Sequence, residues 1–178
     1  MALENPLYKN LGDILSSRYK EIKTPQVLFF VLYFEGSAPS PLKSFFLFLS
    51  FYLAVFCILF FFFDPVKRVI ANVHSGWRGT LQQISVKAVN KMKNEYGCKA
   101  QDIICCICPS IRKCHFKVHV DVREPYYNEF KDLKGIEDLI VKVSGEDRWA
   151  IDTVEINKRI LKQAGLKEEN IIDSGICS

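Results

Sequence analysis

His74 opens the hexapeptide His74-Ser75-Gly76-Trp77-Arg78-Gly79, which sets an imidazole and a guanidinium close together among glycines. An imidazole can ligate a metal or carry a proton, and a guanidinium grips phosphate or carboxylate in a planar fork. Glycines let a ligand come close to the backbone. Upstream, Cys57 offers a thiol, and Asp64-Pro65-Val66-Lys67 reads as a turn between apolar runs. A hairpin centred on Pro65-Val66 sets Phe63 opposite Arg68 and, carried back along the ladder, Cys57 opposite His74. Directly opposed residues have Cβ atoms about 4.5–5.5 Å apart on one sheet face. A thiol and an imidazole so placed suit two ligands of one zinc ion, or a Cys–His nucleophile pair. Arg78, near the start of the following helix, is the candidate anion binder. The plainer alternative has His74 ending a buried strand, Trp77 filling core and Arg78 in a surface ion pair.

These side chains need elements to hold them. Apolar runs predict strands over 26–34, 69–74 and 103–108, with further strands over 114–120 and 170–172. Thr80 and Gln83 fit a capping box at the start of a helix whose apolar face is Leu81, Ile84, Ala88, Met92 and Tyr96, and Gly97 is its stop. A second helix is predicted from Thr153 to Ala164, ended by Gly165, and weaker helical periodicity covers 7–22. The pattern is a mixed α/β fold with antiparallel pairs. In a strand over 114–120, His115 and His119 share a solvent face, about 13 Å apart along the strand, too far to share a metal. Cys105 and Cys108 form a C-x-x-C without the second pair that a zinc ribbon needs. Cysteine also serves as a small hydrophobe in a buried strand.

The chain has 178 residues, enough for one domain over 1–178 with a core that needs no disulfides. Hydrophobic residues make up 49% and charged ones 25%, which excludes a disordered chain, and the net charge of +4 is dispersed, with no basic stripe for nucleic acid. Seven cysteines without an N-terminal signal peptide point to reduced thiols and a cytoplasmic setting. The run from Ser44 to Phe63 carries no charge over 20 residues, the length of a membrane-spanning helix. Its phenylalanines and its Asp-Pro end instead suit a strand and a turn. The expectation is that it does not span a bilayer.

"ANVHSGWRGT" follows "DPVK" and a cysteine 17 residues before the histidine. With "CPSIRKCHFKV", "IDTVEINKRILKQAGL" and "DSGIC", it makes residues 64–178 resemble the laccase-domain (polyphenol oxidase, peptidoglycan-editing-factor) family. Several members of that family act as purine nucleoside phosphorylases. The resemblance implies a mixed-sheet α/β/β/α sandwich, here incomplete at both ends. It also implies one zinc ion, called copper in older naming, held by two histidines and a cysteine. The implied reaction is phosphorolysis of purine nucleosides, with adenosine deamination as a side activity; the implied partners are a nucleoside and phosphate, and the oligomeric state stays open. Carried over by position, Cys57 and His74 match metal ligands, and Arg78 matches the motif arginine. Two positions depart. In "TPQVLFF", Leu28 stands where the resemblance puts the first histidine, and Phe56 stands where an acid precedes the cysteine. The expectation is therefore an impaired enzyme, with a catalytically inactive remnant or a membrane-anchored protein as alternatives.

Overall fold

A computed structural model of the chain describes the backbone of residues 26–30 and all of residues 58–178. The expected helix over 7–22, together with Phe56 and Cys57, lies outside the described residues. Five strands form the main sheet: β1 (Gln26–Phe30), β2 (Ile58–Asp64), β3 (Val69–Ser75), β4 (Ile104–Ile107) and β8 (Ile171–Asp173). Their order is β1-β3-β2-β4-β8. The β2–β3 and β2–β4 pairs are antiparallel, whereas β1–β3 and β4–β8 are parallel. A smaller antiparallel sheet has the order β5-β7-β6, from β5 (Lys117–Val118), β6 (Ile140–Lys142) and β7 (Trp149–Ile151). The helices are α1 (Trp77–Leu81), α2 (Ile84–Tyr96), α3 (Val120–Phe130), α4 (Ile136–Leu139) and α5 (Thr153–Gln163). Among the described residues the fold is thus mixed α/β with two sheets, as the sequence implied. The end of the aromatic run is strand, since it forms β2, and the part before residue 58 lies outside the described residues. Among the described residues no helix is long and apolar enough to cross a membrane.

The β2–β3 hairpin is where the predicted register shifts. Asp64 faces Val69, and Leu59 faces His74 where the expected ladder had placed Cys57. The reason is the turn. The Asp64 carboxylate accepts from the N–H groups of Val66 and Lys67 at 2.8 and 2.9 Å, and Arg68 takes a left-handed φ of 57°. That closes a loop over Pro65-Val66-Lys67-Arg68, two residues along from the expected ladder. A shift of two keeps every side chain on its expected face, where a shift of one would invert the strand. Val69, Ala71 and Val73 therefore bury against Ala88, Val89 and Met92 of α2 and Val154 and Leu161 of α5, while Asn72 and His74 occupy the opposite sheet face.

Two hydrophobic clusters share α5. Val154 and Leu161 belong to the cluster beneath the main sheet. Ile156 and Ile160 belong to a second one with Tyr126 and Phe130 of α3, Ile136 and Leu139 of α4, and Ile151 of β7. This helix keeps its expected bounds: Asp152 caps it by accepting from the Glu155 N–H at 2.9 Å, and it stops before Gly165. The predicted capping box at Thr80 is not formed. Thr80 lies inside α1 and is fully buried, and a left-handed Gln83 separates α1 from α2. Gly97 does end α2, with a left-handed φ of 65°.

Between the clusters lies a buried polar knot. The Asn157 amide donates to Thr80 Oγ1 at 3.1 Å and to the Thr153 carbonyl at 2.8 Å, and its oxygen accepts from Ser85 Oγ at 2.8 Å. Thr80 Oγ1 also lies 3.1 Å from Ser75 Oγ. Strand β3 and helices α1, α2 and α5 are thereby fixed to one another at a single point. Replacing Asn157 with alanine removes a partner from the buried hydroxyls of Thr80 and Ser85. The expected loss is about 2–3 kcal/mol of unfolding free energy in a urea titration, against less than about 0.5 kcal/mol for Lys87→Ala on the exposed side of α2.

At the far edge, Arg112 donates to both carboxylate oxygens of Asp173, at 2.9 and 2.6 Å, and to the Ile176 carbonyl at 3.1 Å. Lys158 adds a 2.8 Å ion pair to Asp173. Burial alone would raise the Asp173 carboxyl, but Arg112, Lys158 and the Gly175 N–H outweigh it and hold it well below the usual range. A depressed folded value means that this stabilisation is complete above the unfolded pKa, about 3.9, and is lost as pH falls through the folded value. Arg112→Ala is expected to cost about 2–3 kcal/mol at neutral pH, and the gap to the parent should narrow in denaturation curves recorded below about pH 4.

Candidate functional site

Strand β3 delivers His74 to the end of the sheet, on the face turned away from α2 and α5. The imidazole is half-buried, and burial pushes its pKa below the ordinary histidine value. It is therefore neutral at physiological pH, with a lone pair free for a metal or a proton. Its cross-strand neighbour is the buried Leu59, so the wall beside it is hydrocarbon.

Past His74 the chain turns sharply. Ser75 points inward to Thr80, and Gly76 begins α1. Gly79 lies so close to Ser75 that a Cβ there would come within 3.1 Å of Ser75 Oγ, which accounts for the second glycine of the hexapeptide. The Trp77 carbonyl accepts from the Tyr126 hydroxyl at 2.9 Å, and the Trp77 ring packs against the second cluster, as its core-filling reading required. Arg78 is exposed, its guanidinium 4.4 Å from the Trp77 ring centroid. No carboxylate among the described residues pairs with it. That leaves the guanidinium edge open to an anion while its face is held by the indole. The helix it belongs to spans only Trp77–Leu81, so the charge of Arg78, and not a helix terminus, is the anion-attracting feature.

Of the sequence-predicted residues, the structure brings His74 and Arg78 to the same strand–helix junction. Leu28 is in register with Ala71, three positions before His74 on the neighbouring strand, and leucine carries no donor atom. The C-x-x-C begins in a strand, as its hydrophobic reading held: Cys105 is fully buried in β4, and desolvation pushes its thiol well up.

A second group of donors was not anticipated. The expected strand over 114–120 exists only at Lys117–Val118, and a turn closed by the His115 and Phe116 N–H groups on the Arg112 carbonyl precedes it. The turn removes the strand alternation that would have sent Cys114 and His115 to opposite faces. Cys114 Sγ instead lies 3.2 Å from His115 Nδ1, and Cys177, from the far end of the chain, completes a cluster at 3.1 Å from the same nitrogen and 3.6 Å from Cys114 Sγ. The Cys177 hydrogen bond pushes the Cys114 thiol up. Desolvation would raise Cys177 as well, but hydrogen bonds from His115 and the Arg112 backbone bring it below the usual thiol range. His119 remains apart, its Nδ1 3.1 Å from the Asp147 carbonyl. The adjacent Cys-His pair was visible in the sequence, but Cys177 lies 62 residues away from His115 and no spacing rule joins them.

Comparison with known proteins agrees with this architecture. The family model described as multi-copper polyphenol oxidoreductase laccase matches residues 48–178. Purine nucleoside phosphorylase YlmD of Bacillus subtilis (strain 168) is 32% identical over 122 residues, which are 68% of this chain and 42% of that protein. Adenosine deaminase RL5, from an unknown prokaryotic organism, is 29% identical over 122 residues, 68% of this chain and 45% of its own length. The crystal structure of YlmD from Geobacillus stearothermophilus superposes with a TM-score of 0.61 at 26% identity, covering 68% of this chain and 44% of that one. The chain spans less than half the length of each of these relatives. With the hexapeptide at the end of β3 and the match running from residue 48 to 178, the chain belongs to the multi-copper polyphenol oxidoreductase laccase family.

Proposed function

We propose that this chain is an impaired zinc-dependent purine nucleoside phosphorylase, with adenosine deamination as a side activity, working as one laccase-type domain over residues 1–178. The reading rests on the junction that joins a neutral, half-buried His74 to an exposed Arg78 with no carboxylate partner among the described residues. It is supported by relatives named purine nucleoside phosphorylase and adenosine deaminase. In this reading Cys57 and His74 are the metal ligands, Arg78 grips inorganic phosphate, and a purine nucleoside is the second substrate. Zinc supplies electrophilic chemistry when bound.

The protein's own contribution is positional. His74 is ligand-ready because burial keeps it uncharged, and Arg78 is held against Trp77, whose carbonyl is tied to Tyr126. The weak point is the missing donor. Leu28 replaces a nitrogen ligand with hydrocarbon, and Phe56 brings no carboxylate beside Cys57, so metal is held loosely and the reaction runs slowly.

The test is to measure zinc content and phosphate-dependent release of base from inosine and adenosine, with the Bacillus subtilis relative assayed alongside. Less than one equivalent of zinc at the His74 site, read as the zinc lost on His74→Ala, and turnover at least about a hundredfold below the relative are expected. Full zinc occupancy with equal turnover would overturn the impairment, and no phosphate-dependent turnover at any zinc concentration would favour the inactive remnant. Arg78→Ala should raise the KM for phosphate about 10–100-fold, the loss of a charge-assisted hydrogen bond, while the KM for nucleoside changes little. A change confined to the nucleoside KM would take Arg78 out of the phosphate role.

A further inference from the structure

We propose that Cys114, His115 and Cys177 form a second metal site, separate from His74, that takes one zinc-like soft divalent ion and clasps the segment after β8 to the turn before β5. The three donor atoms all lie within 4.8 Å of one another. Around tetrahedral zinc, with Zn–S about 2.3 Å and Zn–N about 2.0–2.1 Å, two sulfurs are about 3.8 Å apart and a sulfur and a nitrogen about 3.6 Å. The Cys114–Cys177 separation is 3.6 Å, and the two sulfur–nitrogen separations are 3.2 and 3.1 Å. Small adjustments therefore admit an ion. A disulfide would need the sulfurs to close to about 2.05 Å.

Both sides of the clasp are held by the protein itself. On one side, the Arg112 carbonyl accepts from the N–H groups of His115 and Phe116 at 2.9 and 2.8 Å. On the other, Ser110 and Cys177 form a parallel bridge, with the Ser110 N–H on the Ile176 carbonyl and the Ser178 N–H on the Ser110 carbonyl, each at 3.2 Å. The Arg112 side chain then ties the two sides together through Asp173 and the Ile176 carbonyl. Preorganised donors spare an ion most of the cost of ordering its ligands. Two sulfurs and one imidazole select zinc or another soft ion over magnesium and calcium. Cys114 and His115 are exposed, so a fourth position faces solvent. Binding converts both thiols to thiolates and releases their protons to the medium.

The same turn carries Ile111 and Phe116, which line a small cavity with Ile58, Ser75, Gly76 and Trp77. An ion at the clasp thus braces the wall behind the hexapeptide without touching it.

Cobalt(II) titration of the full chain under anaerobic, reducing conditions tests the site, first with Cys57→Ser and His74→Ala together to silence the other candidate ligands. One equivalent of cobalt with thiolate-to-metal charge-transfer absorption is expected, displaced by zinc, absent in Cys114→Ser and in Cys177→Ser, and weakened at least about tenfold in His115→Ala. The same cysteine variants in the otherwise unaltered chain should lose one equivalent of bound zinc while their circular dichroism is unchanged. This second measurement stands even if the silenced background folds poorly. Absorption or zinc content unaffected by Cys114→Ser and Cys177→Ser would overturn the proposal. So would a Cys114–Cys177 disulfide, found by mass spectrometry in the freshly reduced protein, that forms in preference to metal binding.

Discussion

The carboxamide of Asn157 is the interaction on which the placement of everything else depends. A single buried side chain with two donor hydrogens and an acceptor oxygen joins α5 to α1 and α2, and Thr80 passes the connection to Ser75 at the end of β3. In a low-dielectric interior such a network is stable only when its members are satisfied together. Asparagine serves here because it donates and accepts at once. The hexapeptide is a surface feature whose position is decided from below, and His74 faces outward because its successor Ser75 is pulled inward.

This arrangement gives the site rigidity on one side only. Trp77 and Thr80 anchor α1 to the core, whereas the Arg78 guanidinium rests on an aromatic face with its edge in solvent. Held this way, the arginine loses little freedom when it meets an anion, because the indole has already restricted it. His74 has a different constraint, since Leu59 fills the cross-strand position beside it.

Much of this was legible in the sequence, and the failures have particular causes. The β2–β3 hairpin, the end of α2 at Gly97 and both ends of α5 follow from turn and cap chemistry that acts over a few residues. The hairpin register missed by two residues because the Asp64 carboxylate captures two N–H groups and lets a non-glycine, Arg68, adopt a left-handed conformation. Thr80 looked like a cap because its partner Asn157 is 77 residues away. Helix α3 went unpredicted: Pro125 lies inside it, and its burial rests on Tyr126 and Phe130 packing against α5 and β7. The strand that delivers the hexapeptide was readable locally, although the helix α1 over Trp77–Leu81 was missed. The Cys-His-Cys cluster was not, because it depends on where two distant segments meet.

The main sheet also has an order of assembly written into its strand sequence. Its central pair, β2–β3, is joined by a four-residue loop, while β4–β8 brings together residues such as Cys105 and Ile171 across the whole second half of the described chain. Closing a short loop costs little entropy, and each longer closure is repaid only by the contacts that follow it. The phenylalanine-rich hairpin is therefore the natural nucleus, with β4 added to one side and the edge strand β8 late. Until β8 arrives, the backbone of Ile104–Ile107 is an uncovered strand edge with two adjacent cysteines, open to pairing with another chain. Among the described residues this edge, in the second half of the chain, is an aggregation hazard that hydropathy alone does not reveal.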